Sequence, residues 1–197
     1  MLKMLFKAKE KERSFYFMKK LIAIFILLSL ISFGTKTFAF TKEEALSVNL
    51  TEKSGYSAKQ LEEGLKDELV FLAEDFIAAE QKHGVNAVFL AAVAALESGW
   101  GKICFRENNI FGWNGKSFSS KSECIDFVAE KLAEHYLCEE GKYYNGKTVA
   151  GVNVCYNGNS FWEEKIAGIM AMISKKCGKP KEPEGKELSA VMVFSLG

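Results

Sequence analysis

The stretch of sequence richest in possible chemistry is residues 90–101, LAAVAALESGWG, in which a run of small and apolar residues ends at Glu97. A helix that is apolar on every face must be surrounded by protein. A carboxyl group at the C-terminal end of such a helix is desolvated and faces the negative end of the helix dipole, and both effects favour its protonated form. Glu97 is therefore a candidate general acid. The alternative is a glutamate that simply emerges into solvent at a helix end.

The residues that follow Glu97 have types suited to a tight turn beside a carboxylate. Ser98, Gly99 and Gly101 allow the backbone to turn sharply, since glycine adopts left-handed conformations at little cost. Trp100 offers a large flat face, which suits either packing or contact with a sugar ring. The context therefore favours a catalytic role for Glu97 over a solvated helix end.

Two helices are predicted to position this segment. Apolar residues recur at three- and four-residue steps over 65–79, which predicts an amphipathic helix that stops at Gly84. Asn86 is expected to cap a second helix over 87–96, and this helix carries the run that leads to Glu97.

Two further helices are predicted after a loop-rich segment. The third starts near Ser122, where Lys121 or Ser122 precedes it, and Tyr136 belongs to its buried stripe. The last begins at Ser160, with Glu163 completing a capping box. The Gly-, Asn- and Ser-rich residues between the second and third helices suit turns or a short hairpin.

The chain divides into four segments by composition. Lys19 and Lys20 precede the apolar run of residues 21–33, and small residues follow before Ala39, which is the pattern of a signal peptide over residues 1–39. Translation starting at Met18 would give a more compact signal sequence. The remaining segments are a polar region at 40–56, the folded domain at 57–177 and a flexible tail at 178–197.

A retained membrane anchor is the alternative to a signal peptide, but this mainly apolar run of thirteen residues falls short of the roughly 20 that span a bilayer. No stable membrane anchor is therefore expected in the mature form. From residue 40 onward acidic side chains outnumber basic ones, so the sequence predicts no nucleic-acid interface. The five cysteines show no metal-ligand spacing, and mostly free thiols with at most one disulfide are expected.

Four blocks of sequence resemble the family-73 glycoside hydrolases, the bacterial peptidoglycan N-acetylglucosaminidases. These blocks are AEDFIAAEQKHGVNAVFLAAVAALESGWG, ENNIFGWNG, SFSSKSECIDFVAEKL and YYNGKTVAGVNVCYN, and they occur in the family's order between about residues 57 and 175. The resemblance implies an α+β, mainly helical, lysozyme-like fold with two lobes, one of them a small β lobe. It implies no metal or organic cofactor.

The resemblance also assigns roles to individual residues. Glu97 becomes the general acid, and Tyr156 matches the tyrosine of the family's Tyr-Ala-Thr-Asp block, which lines the cleft near the scissile bond. Here Asn157 and Gly158 follow that tyrosine, which departs from the family pattern. The family turn that shapes the cleft floor corresponds to Asn108, Asn109, Phe111 and Gly112. Trp113 and Trp162 are candidates for stacking on sugar rings or for anchoring the core.

The second catalytic group is left open by the sequence. Glycosidases commonly pair two carboxylates, and Glu107, Glu123 and Asp126 follow Glu97 in the chain. Glu123 is the preferred candidate, because the family has been proposed to place a glutamate in its β lobe. The substrate's own 2-acetamido group is the alternative nucleophile.

The sequence thus predicts an exported enzyme of the cell wall or periplasm that cleaves peptidoglycan after N-acetylglucosamine. Its substrate-binding residues are expected to be Trp100, Asn109, Phe111 and Trp113. Its expected partner is the peptidoglycan glycan strand, and the protein is expected to be a monomer. The alternatives are an N-acetylmuramidase or lytic transglycosylase of the same fold, or a wall-binding module without turnover.

Overall fold

The computed structural model describes residues 40–180, and this part of the chain is mainly helical, as predicted. The predicted signal peptide with its alternative start at Met18 lies outside the described residues, as do residues 181–197 of the predicted tail. The α-helices in the described part are Lys42–Ser47 (α1), Ala58–Gly64 (α2), Ala73–His83 (α3), Ala87–Ser98 (α4), Lys121–Leu132 (α5), Val149–Tyr156 (α6) and Ser160–Cys177 (α7). Two 3-10 helices, Asp67–Leu72 and Trp113–Gly115, and a π-helical turn, Ala133–Leu137, complete its regular structure.

Helix α4 is the buried helix around which the others pack. Its residues from Ala87 to Ala95 are all buried, as the all-apolar sequence requires. Asn86 caps its N-terminus as predicted, since the side-chain oxygen accepts hydrogen bonds from the second and third backbone N–H groups of the helix. Helices α3 and α7 contact α4 directly, while α1, α2 and α6 pack against α7, and α5 packs against α3. This arrangement leaves the C-terminal end of α4 as the part that approaches the surface.

The C-terminal end of α4 is held by a polar side chain and a left-handed turn. The hydroxyl group of the buried Ser98 donates to the carbonyl oxygen of Ala94 at 2.6 Å and accepts from the N–H of Gly101 at 2.8 Å. Gly99 adopts a φ of 55°, and its N–H group bonds back to the helix. The turn that the sequence predicts after Glu97 is therefore present, and it fixes the last turn of the helix.

The predicted boundaries of the other helices need three corrections. The helix expected over 65–79 consists of a 3-10 helix followed by α3, and it stops at Gly84 as predicted. Ser120 caps α5 in place of Lys121 or Ser122. The last helix begins at Ser160 as predicted, but the side chain of Asn159 caps it by accepting from the N–H of Phe161, in place of the predicted capping box with Glu163. Helix α6 was not predicted.

The predicted small β lobe is not shown, because none of residues 40–180 forms a strand. Residues 99–120 consist of turns and the short 3-10 helix, and a backbone hydrogen bond from the N–H of Phe118 to the carbonyl oxygen of Glu107 closes the loop. Positive φ angles at Asn108, Gly112 and Asn114 interrupt any extended run here. Within the described residues no helix is long and apolar enough to cross a membrane.

Gly151 in α6 packs closely against the backbone of the preceding loop, so a larger side chain there should destabilise the fold. A Cβ atom added at Gly151 would meet the backbone oxygen of Gly146 and would lie 2.7 Å from that of Asn145, whereas Gly168 in α7 has open space around it. We expect Gly151→Ala to lower the free energy of unfolding by about 2 kcal/mol through overpacking. Gly168→Ala is the matched control and should raise it by about 0.5 kcal/mol, because alanine is the better helix former. Urea unfolding measures both changes, and equal effects would contradict the prediction.

Candidate active site

An open cavity of about 240 Å³ lies at the C-terminal end of α4. Its lining residues are Glu97, Phe111, Gly112, Trp113, Asn114, Tyr136, Tyr156 and Asn157. The cavity therefore combines the end of the buried helix, the 111–114 turn, the π-helical turn and the end of α6. Four of the residues predicted as catalytic or substrate-binding, Glu97, Phe111, Trp113 and Tyr156, lie together on its wall.

Glu97 is half-buried in the last turn of α4, and each of its carboxylate oxygens has a different neighbour. Oε1 accepts a hydrogen bond from the indole Nε1 of Trp162 at 2.9 Å. Oε2 lies on the side of Gly112, where an added Cβ atom would be 4.0 Å away. Since Gly112 lines the cavity, Oε2 lies close to the space in which a substrate can bind.

Tyr156 is the last residue of α6 and packs within a group of aromatic rings at the cavity. Its ring centroid lies 5.2 Å from that of Trp162 and 6.0 Å from those of Trp113 and Tyr136. Its hydroxyl group donates to the carbonyl oxygen of Phe111 at 3.5 Å. Burial raises the pKa of Tyr156, and the neighbouring Glu97 carboxylate raises it further. Tyr156 is therefore a neutral phenol near pH 7 and can act as a hydrogen-bonding group.

Asn109 shapes the turn that forms one wall of the cavity but does not line the cavity itself. It is buried, and its Oδ1 accepts from the N–H of Trp113 at 2.9 Å. Its Nδ2 donates to the carbonyl oxygens of Trp113 and Lys116 at 3.1 and 2.7 Å. These bonds use the polar atoms of the side chain within the protein, which fits the turn-shaping role that the resemblance implied.

Glu123 and Trp100 do not line the cavity. Glu123 is exposed in the first turn of α5, and it accepts hydrogen bonds from the side chain and backbone of Ser119, which hold the pKa of Glu123 below its usual range. Trp100 has a φ of 65° in the turn after α4, and the ammonium group of Lys66 lies 5.0 Å from its ring centroid. The structure thus gives both residues neighbours outside the cavity.

The remaining carboxylates that the sequence suggested are also outside the cavity. Asp126 accepts from Lys82 and His83 at 2.8 Å and so joins the end of α3 to α5. Glu107 is exposed and contributes its backbone carbonyl to the closure of the loop. Among the described residues that line the cavity, Glu97 alone carries a carboxylate. Across residues 40–180 no three His, Cys, Asp or Glu side chains are grouped so that they could hold a metal ion.

Two residues at the site have positions that sequence reasoning missed. Tyr136 was predicted as part of a buried helical stripe, but it lies in the π-helical turn and lines the cavity. Trp162 was considered for sugar stacking or for anchoring the core; it is buried in the core, and its indole N–H group also donates to Glu97. The sequence gives no signal for a π-helical turn, and the Trp162 contact joins residues 65 positions apart.

Comparison with known proteins identifies a family to which this chain is similar. The family model described as mannosyl-glycoprotein endo-beta-N-acetylglucosaminidase matches residues 73–175. Two curated relatives from Streptococcus pneumoniae strains, each named "Putative endo-beta-N-acetylglucosaminidase", are 33% identical to this chain over 147 residues. The alignments cover 66% of this chain but only 22% and 21% of the relatives, so this chain spans about a fifth of their length.

The cavity has a half-buried carboxylate and aromatic walls, and these matches place the chain in the class of the glycoside hydrolases. The chain belongs to the glucosaminidase family, family 73 of the glycoside hydrolases. The matched residues include α3 to α6, most of α7 and the whole wall of the cavity.

Proposed function

We propose that this protein is an exported peptidoglycan hydrolase that cleaves the β-1,4 bond between N-acetylglucosamine and N-acetylmuramic acid. The observation that carries the proposal is the placement of Glu97 in the cavity, with Oε1 bonded to Trp162 and Oε2 directed toward the space beside Gly112. Glu97 acts as the general acid and protonates the leaving oxygen through Oε2. General acid catalysis of this kind contributes about 10²- to 10⁴-fold to a rate.

The charge that develops on the sugar ring is stabilised by the substrate's own acetamido group. Its carbonyl oxygen attacks the anomeric carbon as the leaving oxygen takes the proton of Glu97, and the ionised Glu97 then removes a proton from the water that opens the resulting ring. This route is supported by the lining of the cavity, in which Glu97 is the one carboxylate among the described residues and Tyr156 is a neutral phenol, so neither residue offers a second, ionised nucleophile. Glu123 does not line the cavity, so it could serve as the partner only if the start of α5 moved toward the bound glycan.

The aromatic residues of the cavity suit a glycan strand. Trp113 and Tyr136 both line it, with their ring centroids 6.4 Å apart, and flat aromatic faces pack well against the apolar faces of sugar rings. An open cavity also admits the middle of a long polymer. We therefore propose that the enzyme acts within glycan strands in the cell wall or periplasm, as a monomer, after removal of residues 1–39. The lysozyme-like two-lobed fold is part of the same proposal.

The products of a peptidoglycan digest test this function. The protein is incubated with purified peptidoglycan, the products are reduced with borohydride, and their ends are identified by mass spectrometry. We expect reduced N-acetylglucosamine ends. Reduced N-acetylmuramic acid ends would indicate a muramidase and anhydro-muramyl ends a lytic transglycosylase, and either result would overturn the assigned bond. Binding without any new ends would indicate a wall-binding module.

A further inference from the structure

The hydrogen bond between Trp162 and Glu97 fixes the roles of the two carboxylate oxygens. An indole N–H group can donate but cannot accept, so the oxygen that it contacts must accept. That oxygen is Oε1, at 2.9 Å from Nε1 of Trp162. The carbonyl oxygen of a carboxylic acid accepts more strongly than its hydroxyl oxygen, so this bond favours a proton of Glu97 on Oε2, which lies near Gly112 at the cavity.

The indole ring is itself held in place by its surroundings. Trp162 is only 5% exposed and belongs to the first turn of α7. The side chain of Asn159 caps this helix, and the backbone carbonyl oxygen of Asn159 accepts a hydrogen bond from the backbone N–H of Trp162 at 2.9 Å. The ring of Tyr156 lies against the indole at a tilt of 34°. A donor fixed in this way loses little conformational entropy when it binds the carboxylate.

We infer that Trp162 is a positioning residue that directs the proton of Glu97 into the cavity through Oε2, an inference that rests on the proposed function. The bond also strengthens as the reaction proceeds, because an N–H donor bonds an ionised carboxylate more strongly than a neutral acid. Glu97 becomes ionised as it protonates the leaving oxygen. The interaction therefore stabilises the transition state more than the bound substrate and contributes to kcat.

Trp162→Phe tests this role, since it keeps an aromatic ring and removes the N–H donor. We expect kcat on a peptidoglycan glycan fragment to fall at least tenfold, with KM within about twofold of the wild-type value. On a 2,4-dinitrophenyl glycoside of the same fragment, whose leaving group needs no proton, the loss should stay below about threefold. This difference between the two substrates distinguishes a positioning residue from a merely structural one.

Two controls keep the test decisive. Tyr56→Phe also removes one donor from an aromatic side chain, here the bond to the carbonyl oxygen of Gly178 away from the cavity, and should leave both activities unchanged. Trp162→Phe added to Glu97→Gln should cause no further loss on the natural linkage, because Trp162 acts through Glu97. Thermal unfolding of each variant sets an assay temperature at which all of them are folded.

The possible results separate the two proposals. Equal losses on both substrates, or no loss on either, would overturn the role of Trp162 while leaving the glucosaminidase function intact. A further loss in the double variant would overturn it as well. A wild-type protein that releases no N-acetylglucosamine ends from peptidoglycan would instead overturn the proposed function.

Discussion

Replacing Glu97 with glutamine is expected to lower kcat on peptidoglycan about 10³-fold, which lies within the usual contribution of a general acid. Glutamine has nearly the same shape and keeps a side-chain oxygen that can accept from Trp162, so the hydrogen bond seen at 2.9 Å can persist. The amide cannot give up a proton to the leaving oxygen. The loss should therefore appear in kcat, with substrate affinity and thermal stability close to those of the wild type.

Rates of reducing-end release from purified peptidoglycan measure this loss, and a pull-down with insoluble peptidoglycan measures binding. Glu74→Gln, which makes the same chemical change on the exposed face of α3, is the matched control and should keep the wild-type rate. Glu97→Gln with more than about a third of the wild-type activity would contradict the assignment of the general acid. Loss of binding together with activity would indicate that Glu97 holds the substrate and does not act as the acid.

The central helix could be predicted because its signals are local. Asn86 as the cap, the apolar run over residues 87–95 and the turn at Gly99 all lie within one short stretch of sequence. Burial of this helix also followed from its composition, since no polar face is available to water. The position of Glu97 at the end of this helix could therefore be predicted from residues near it in the chain. Tyr156 at the cavity was found only through the family resemblance.

Contacts between distant segments could not be read from the sequence. Trp162 bonds Glu97 because α7 packs against α4, and local periodicity does not specify which side chains meet across that contact. Helix α6 escaped prediction because VAGVNVCY contains valine, glycine and asparagine, which are weak helix formers. Its cap is Thr148, and tertiary packing outweighs its low propensity.

A buried carboxylate in α3 supports the start of α4, the helix that carries Glu97. Glu80 in α3 is only 3% exposed. Its Oε1 accepts hydrogen bonds from the backbone N–H groups of Ser54 and Ala87 at 2.6 and 2.8 Å, and its Oε2 accepts from the hydroxyl group of Ser54 at 3.2 Å. Ala87 is the first residue of α4, so Glu80 satisfies an N–H group that no helical carbonyl can reach. Its negative charge also lies at the positive end of the helix dipole.

We expect Glu80→Ala to lower the free energy of unfolding by about 3 kcal/mol, because it leaves the buried N–H group of Ala87 and the part-buried N–H group of Ser54 without their acceptor. Glu80→Gln is the matched variant and should cost only about 1 kcal/mol, since its amide oxygen can keep both backbone bonds and its amide nitrogen can donate to Ser54. Urea unfolding measures both changes, and assays well below the unfolding midpoint should show nearly unchanged kcat, because Glu80 does not line the cavity. Equal destabilisation by the two variants would show that the charge of Glu80, and not its accepting geometry, holds the start of α4.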